Sequence, residues 1–217
     1  MGAGILPCAY HRGKFYLLLG RERKNGLWCD FGGSPERGES IIETAIREGM
    51  EELNGFFGTK DELLSLVKNT QLQMINNPHD KYTSILFKIK YDPKLPKYFN
   101  YNNRFVEENV LPFLNSQAFG HIRPQHSGLF EKTEIRWFNI QEIENLNTKY
   151  TKSNIDKMKN INTGFSIFRP HFAVILLNII KKQSNIIDKI TAQNTFNKNR
   201  TRKKLKPTFI RNTTLRL

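Results

Sequence analysis

The chain has 217 residues, a formal net charge of +14, 38% apolar residues and two cysteines, Cys8 and Cys29. That length suits one domain of ordinary size plus an appendage, and two cysteines exclude a disulfide framework or a cysteine-rich zinc site. No apolar run reaches the roughly 20 residues that span a bilayer. The start, Met1-Gly2-Ala3-Gly4-Ile5, lacks the basic and long apolar regions of a signal peptide. Leu6 stands where myristoylation needs Ser or Thr. These features predict an intracellular, cytoplasmic protein with no membrane partner, for which a basic tail allows a nuclear address. The positive charge is uneven. Residues 184–217 hold nine Lys and Arg against one acid, Asp188, and residues 1–183 are still net positive. Polyanions are the favoured partners: a nucleotide or other polyphosphate, or RNA through the tail.

In chain order, Gly4 to Tyr10 and Phe15 to Arg21 read as two strands joined by a glycine-containing turn at His11-Arg12-Gly13-Lys14. After a turn at Lys24-Asn25-Gly26, Leu27 to Phe31 forms a short strand leading into Gly32-Gly33. Glu62 to Gln71 fits either a helix end or a strand. Asn76 to Asp80 is a turn, and Tyr82 to Tyr91 is β-branched and aromatic, hence a strand. Asp92-Pro93-Lys94-Leu95-Pro96 ends it and opens an insertion around 93–125. Phe105 to Leu114 looks helical up to Pro112, and Phe119 to Phe130 is a loop. Glu134 to Ile140 alternates as a strand, and Gln141 to Leu146 starts a short helix. Lys149 to Thr163 is a polar loop, and Ala173 to Lys182 is an apolar helix that closes the fold. The domain is expected over 1–183, with 184–217 a basic tail; Ile186 to Ile190 could prolong the helix, and 191–217 read as disordered.

The chain is organised around Gly32-Gly33-Ser34-Pro35-Glu36-Arg37-Gly38-Glu39-Ser40 and a helix over Ile41 to Leu53. Ser40 and Glu43 have capping-box spacing. Ile42, Ala45, Ile46, Met50 and Leu53 repeat as one buried face with Gly49 in the stripe, where glycine lets the helix approach its support. On the opposite arc lie Glu48, Glu51 and Glu52, with Arg47 at the edge. Carboxylates at i, i+3 and i+4 repel one another. A solvated face is the usual fate of such a run. In a basic chain the cluster is a local exception, and carboxylate oxygens suit a hard divalent cation, Mg²⁺ or Mn²⁺.

Gly33, five residues, Glu39, seven residues and then Arg47-Glu48-Gly49-Met50-Glu51-Glu52 resembles the signature of the Nudix hydrolases. Gly49, Asn54 and Gly55 depart from its apolar, glycine and apolar positions. Asn tolerates the left-handed conformation a helix end needs. The resemblance covers roughly residues 3 to 182, with specific motifs only over 32–55. It implies an α/β/α sandwich with a mixed sheet, and Mg²⁺-dependent hydrolysis of a diphosphate linkage in a nucleoside-diphosphate-linked substrate. It also implies that Glu48, Glu51 and Glu52 hold the metal, with a backbone carbonyl at Gly33, and that Arg47 and Glu39 pair to hold loop against helix.

For the general base, Glu131 is the first choice. Glu134 more plausibly supports structure, and a helix glutamate such as Glu51 could serve instead. Within the 119–130 loop, His121 and His126 could contact phosphate or be exposed loop residues. Arg21 and Arg23 could contact phosphate or sit at a solvated strand end. Trp28 and Phe31 fit a base-binding wall or, more commonly, core packing. Tyr98, Phe99 and Tyr101 with Arg104 form an aromatic and basic patch. The cluster Arg202-Lys203-Lys204-Leu205-Lys206 could bind RNA or act as a nuclear address. No recognisable motif fixes the substrate. The 5′ cap of RNA and diphosphoinositol polyphosphates stay open, as does a non-catalytic RNA-binding module of the same fold.

Overall fold

The opening hairpin forms as strands β1 (Gly2–His11) and β2 (Lys14–Glu22). Arg12 and Gly13 both take positive φ, 49° and 76°, as a two-residue turn matched to strand twist requires. The structure is a computed structural model that describes residues 1–110, 130–147 and 167–192. The two strands pair only near the turn, from Cys8↔Leu17 to His11↔Lys14. Beyond that they splay, and β3 (Trp28–Cys29) and β4 (Phe31–Gly33) fill the gap, β3 on β2 and β4 on β1. The single strand expected over Leu27 to Phe31 is thus two short ones, parted at Asp30.

The chain then leaves the sheet through α1 (Ile41–Glu52) and α2 (Lys60–Thr70) and returns as β5 (Gln71–Asn77) and β6 (Tyr82–Lys88). The ambiguous stretch at 62–71 is helix up to Thr70. Thr59 and Glu62 make a second capping box, a T-x-x-E signal in the sequence that settles the ambiguity. Asn76 and Asn77, expected in a turn, still belong to β5. Strand β6 runs parallel to β1, from Gly2↔Tyr82 to Cys8↔Lys88. β1 is therefore a central strand, and the sheet is mixed, in the order β3-β2-β1-β6-β5.

The insertion begins with a helix that sequence reading missed, α3 (Leu95–Phe105), followed by a π turn at Val106–Val110. Pro96 falls in its first turn, where the missing N–H costs nothing. The remaining insertion, 111–129, lies outside the described residues, as do 148–166 and 193–217. Strand β7 (Lys132–Asn139) pairs with β2 and passes into α4 (Ile140–Asn147). Helix α5 (Pro170–Lys181) is followed by a further helix over 183–192. Ile186 and Ile190 are fully buried, so ordered packing continues past the boundary expected at 183.

Adjacent strand residues feed opposite cores, as the two-residue period demands. Ile5, Leu18, Ile85 and Trp137 face α1, α2 and α3, together with Ala45, Ile46, Leu63, Val67 and Phe99. Leu6, Leu17, Leu86 and Phe138 face the other side, with Ile143 of α4 and Phe172, Ile175 and Ile179 of α5. Helices cover both faces of the mixed sheet.

Gly49 sets how closely α1 approaches that sheet. A Cβ there would lie 2.4 Å from Ile5 Cδ1. Gly49→Ala gains about 1 kcal/mol of helix propensity but overpacks the core at a cost of about 2 kcal/mol. Net destabilisation is expected in urea unfolding. Ile5 Cγ1 lies almost as close, at 2.5 Å, so the loss from Gly49→Ala should be smaller in an Ile5→Ala background, which removes both blocking atoms, through coupling between neighbours. If Gly49→Ala is the more stable protein, this contact is not limiting.

Candidate active site

Three strands and one helix meet at a buried ammonium. Lys132 is fully buried. Its Nζ lies 2.7 Å from Glu22 Oε1 on β2, 3.0 Å from Cys29 Sγ on β3 and 3.2 Å from Glu52 Oε1 on α1. An ammonium has three N–H donors, and three partners receive them. Glu22 Oε1 also accepts from Arg169 Nη1 at 3.0 Å and from the Cys29 thiol at 3.2 Å. Burial pushes the Glu22 carboxyl up, but Lys132 and Arg169 outweigh it and bring it down to about 2. The Glu52 carboxyl is pushed up to about 8 by burial, against the pull of Lys132. Its other oxygen accepts the Gly32 N–H at 2.8 Å, tying the helix end to the glycine loop. Asp30 lies close by, accepting from Tyr82 and Ser84, and burial raises it to about 6.

Towards solvent, α1 carries the rest of its acidic arc. Arg47 Nε and Nη2 grip the two oxygens of Glu39 at 2.8 and 3.1 Å, and Nη2 also donates to the Ser34 carbonyl at 2.8 Å. This bidentate pair holds the loop against the helix, in the geometry expected of Glu39 and Arg47. Its strength shows in Glu39, which the Arg47 hydrogen bonds hold down at about 2. Arg47 Nη1 reaches Glu48 at 3.0 Å and Glu51 at 3.4 Å. One guanidinium therefore serves four carboxylates, the most distant being Glu36 at 4.0 Å from Nε. Both Glu48 and Glu51 are raised, first by burial and then by neighbouring acids that include Glu131. The Glu48 carboxylate fills the space beside Gly33, where a Cβ would lie 2.6 Å from it.

Glu48 and Glu51 therefore share Arg47 Nη1 and both feel the charge of Glu131, whereas Glu52 turns inward to Lys132. Among the described residues no three His, Cys, Asp or Glu side chains are gathered as a metal site. The donor chemistry still fits a divalent cation. Oxygen donors are in excess over the available cation, and a bound cation relieves that imbalance.

The other candidate residues take the following places. Arg21 is committed to Glu134 at 3.0 Å and to the Gly26 carbonyl. Arg23 is committed to the Phe130 carbonyl and to Glu107. Trp28 meets Phe138 edge-on at 4.9 Å, in the core on the α5 side and not beside α1. Its backbone does the positioning: the Ile167 carbonyl accepts its N–H and its own carbonyl accepts Arg169 N–H. That pairing brings Arg169 to Glu22. Phe31 is core on the α1 side. His121, His126 and the tail cluster lie outside the described residues.

Asn54, where the signature has glycine, ends α1 with φ 51°. Its side chain donates to Asn103 Oδ1 and accepts the Phe130 N–H, so the exchange adds a tie to α3 that glycine cannot make.

A NUDIX domain profile matches residues 1–159. The chain belongs to the Nudix family. No curated protein matches it. Among solved structures it is similar to a Nudix hydrolase from M. smegmatis, RenU, at 12% identity over 85% of this chain and 86% of that one, TM-score 0.42. It is also similar to the C. elegans Ap4A hydrolase, at 15% identity over 66% of this chain and 83% of that one, TM-score 0.33. The Nudix domain of Shewanella oneidensis NrtR, solved with ADP ribose, matches at 14% identity over 66% of this chain and 75% of that one, TM-score 0.32. The mixed sheet between helices is the Nudix arrangement, and members of the family generally use divalent metals. Arg169 lies beyond the residues that the Nudix profile matches.

Two outcomes are expected. Glu39 is held down in the folded state, so its contribution is complete above the unfolded carboxyl value and is lost as pH falls from about 4.5 towards 2. Glu39→Gln should flatten that acid limb of the stability profile; an unchanged limb contradicts the pairing. Lys132→Met leaves Glu22 and Glu52 without their ammonium and should lose about 3 kcal/mol in urea unfolding. Adding Glu22→Gln should return part of the loss.

Proposed function

We propose that this protein hydrolyses a diphosphate linkage with Mg²⁺ or Mn²⁺, in a substrate of the nucleoside-diphosphate type. The observation that carries the reading is the pair Glu48, beside Gly33, and Glu51, both half-buried and sharing one guanidinium that Glu39 already occupies. Glu48 and Glu51 hold the cation, with the Gly33 carbonyl as a further oxygen donor and Glu52 in support behind them. A bound divalent cation neutralises phosphate oxygens and lowers the barrier to attack by water.

The chain's own groups do the rest. Arg47 positions loop and helix by bridging Glu39, the Ser34 carbonyl and the two metal-binding carboxylates. Glu131 precedes β7 with an exposed side chain, and its charge bears on both Glu48 and Glu51. It is the general base. Glu131 takes a proton from water as the oxygen attacks phosphorus, the P–O bond of the diphosphate bridge breaks, and the leaving phosphate carries away the bridging oxygen. Arg21 and Arg23, neutralised by Glu134 and Glu107, shape the neighbouring surface. The basic charge of the chain supports a polyanionic substrate, and RNA contact through 193–217 is a separate expectation of the tail sequence.

Cleavage of the diphosphate bridge should be measured with Mg²⁺, by separating the phosphorylated products, on a panel of ADP-ribose, dinucleoside polyphosphates, capped RNA and inositol pyrophosphates. Activity is expected on at least one, lost on chelation and restored by Mg²⁺ or Mn²⁺. The double variant Glu48→Gln, Glu51→Gln should reduce it by more than about 100-fold. Bridge cleavage that survives in that variant would sink the assignment. A wild-type protein that binds RNA yet releases nothing from the panel is a binding module.

A further inference from the structure

Helix α3 serves the fold with one face. Phe99 is buried there and meets Phe56 edge-on at 5.6 Å. Asn100 and Asn103 bond the backbone of β7. Asn100 exchanges two hydrogen bonds with Ile135, its Nδ2 donating to the carbonyl at 3.2 Å and its Oδ1 accepting the N–H at 2.8 Å. Asn103 is also buried. It donates to the Lys132 and Thr133 carbonyls at 2.9 and 3.1 Å and accepts from Asn54. Two side-chain amides thus do for β7 what a neighbouring strand would do. They fix α3 beside the start of β7 and the end of α1.

The outer face has no such task. Tyr98, Tyr101 and Phe105 are 55%, 76% and 51% exposed. At about 100° per residue these three rings fall within an arc of about 60°, turned away from Phe99 and Asn103. The aromatic patch expected from the sequence is therefore divided, with Phe99 in the core and Phe105 added to the exposed stripe. Lys94 lies on the same stripe, and Lys97 and Arg104 border it along one side; all three are exposed. No acid occurs from Lys94 to Phe105. Among the described residues none of these three cations has an ion-pair partner. The nearest acids in the chain flank the stripe. Asp92 accepts the Lys94 N–H at 2.8 Å, and Glu107 is paired with Arg23. Glu108 is exposed one turn past Arg104 and marks the limit of the surface.

Single exposed apolar residues are ordinary, but a row of three aromatic rings needs a partner. Of the exposed residues from Lys94 to Phe105, all are aromatic or basic except Asn102. A protein groove or a lipid surface takes a helix whose apolar face is rich in aliphatic side chains, and this face exposes none. Rings interleaved with cations are the composition that holds single-stranded nucleic acid: bases stack on the rings and phosphates meet the cations. The rings follow one another by about 4.5 and 6 Å along the axis, at about 1.5 Å per residue. That is wider than the roughly 3.4 Å between stacked bases, so each ring suits one base of an opened strand. A duplex keeps the faces of its bases covered. The formal net charge of +14 favours the encounter.

We propose that the outer face of α3 binds single-stranded nucleic acid, with Tyr98, Tyr101 and Phe105 stacking on successive bases and Lys97 and Arg104 meeting phosphates. The inference does not rest on the hydrolase reading, because these contacts need neither a diphosphate nor a metal. It is also separate from the expectation for the basic tail, whose charge holds a strand without using its bases.

The test is fluorescence anisotropy on the full chain in EDTA, which keeps hydrolysis out of the measurement. The probes are labelled RNA and DNA single strands of about 12 nucleotides, the same strand without bases, and a duplex of the same length. At least one base-bearing single strand should bind about tenfold tighter than the abasic strand; which of RNA and DNA binds better identifies the natural source. Tyr98→Ala with Tyr101→Ala should erase that advantage and leave abasic binding unchanged. Tyr98→Phe with Tyr101→Phe keeps the rings and should keep the advantage. Lys97→Gln with Arg104→Gln should weaken every single strand and reduce the salt slope by about 1.4, at about 0.7 per phosphate contact. All four side chains are exposed, so the fold should survive each change. The inference is overturned if no strand binds, if the abasic strand or the duplex binds the wild type as tightly as the base-bearing strands, or if the alanine pair keeps the full advantage. It is likewise overturned if the alanine pair alters only self-association in sedimentation, or only binding to phosphatidylserine–phosphatidylcholine vesicles. Those results would make the stripe an interface between copies or a membrane face. Glu48→Gln with Glu51→Gln should bind the strands like the wild type, so the hydrolase reading and this one can fail separately.

Discussion

An ammonium without water organises this molecule. Taking Lys132 and its carboxylate partners out of solvent costs several kcal/mol per ion, and that cost is offset only when the geometry satisfies every donor. Here it does, with Glu22, Cys29 and Glu52 as the three acceptors. Each partner belongs to a different element. The bonds therefore lock β7, β2, β3 and the end of α1 into one arrangement, and any slip of register would strand a buried charge. Through Glu22 the same cluster reaches Arg169 and the start of α5. The acidic arc beside Gly33 is braced by this one network.

Two electrostatic regimes meet at α1. On the inner side, Lys132 and Arg169 meet the carboxylates of Glu22 and Glu52 in a largely buried cluster. On the outer side, Glu48 and Glu51 are half-buried and share Arg47 with Glu39, so negative charge is left over. Inner pairing supplies rigidity, and outer imbalance supplies an affinity for cations. Glu52 stands at the boundary, one oxygen on the Gly32 N–H and the other on Lys132. The helix can carry an unbalanced face because its inner side, at the same end, is pinned this firmly.

The glycine loop, its capped helix and the Arg47–Glu39 pair were legible in the sequence because they rest on local spacing: a capping box, a 3.6-residue stripe and a fixed loop length. So were the strands, where alternation is strong. Helix α3 was missed because Pro93 and Pro96 read as a stop, although proline suits a first turn. The α2 capping box at Thr59 and Glu62 was a readable signal that could have resolved the stretch at 62–71. The Lys132 cluster left no such trace. Glu22, Glu52 and Lys132 are far apart in sequence, and each alone is an ordinary surface residue type. The contact of Arg169 with Glu22 was hidden for the same reason, since only tertiary packing brings β2 against the start of α5. For Arg21 and Arg23 the sequence left phosphate contact and a solvated strand end both open, because their partners, Glu134 and Glu107, also come from distant segments.

The parallel pairing of β1 with β6 has a consequence for how the chain acquires its shape. β1 sits in the middle of the sheet, yet its partner is made only after α1, α2 and β5. Until then one long apolar strand must wait with an unpaired edge, and parallel pairing across such a separation is slow to close. The hairpin with β2 protects only the end near the turn. During synthesis the remainder is the segment most open to wrong pairing or to capture by chaperones. The strand that carries the glycine loop on its flank therefore depends, for its second edge, on a partner some distance along the chain.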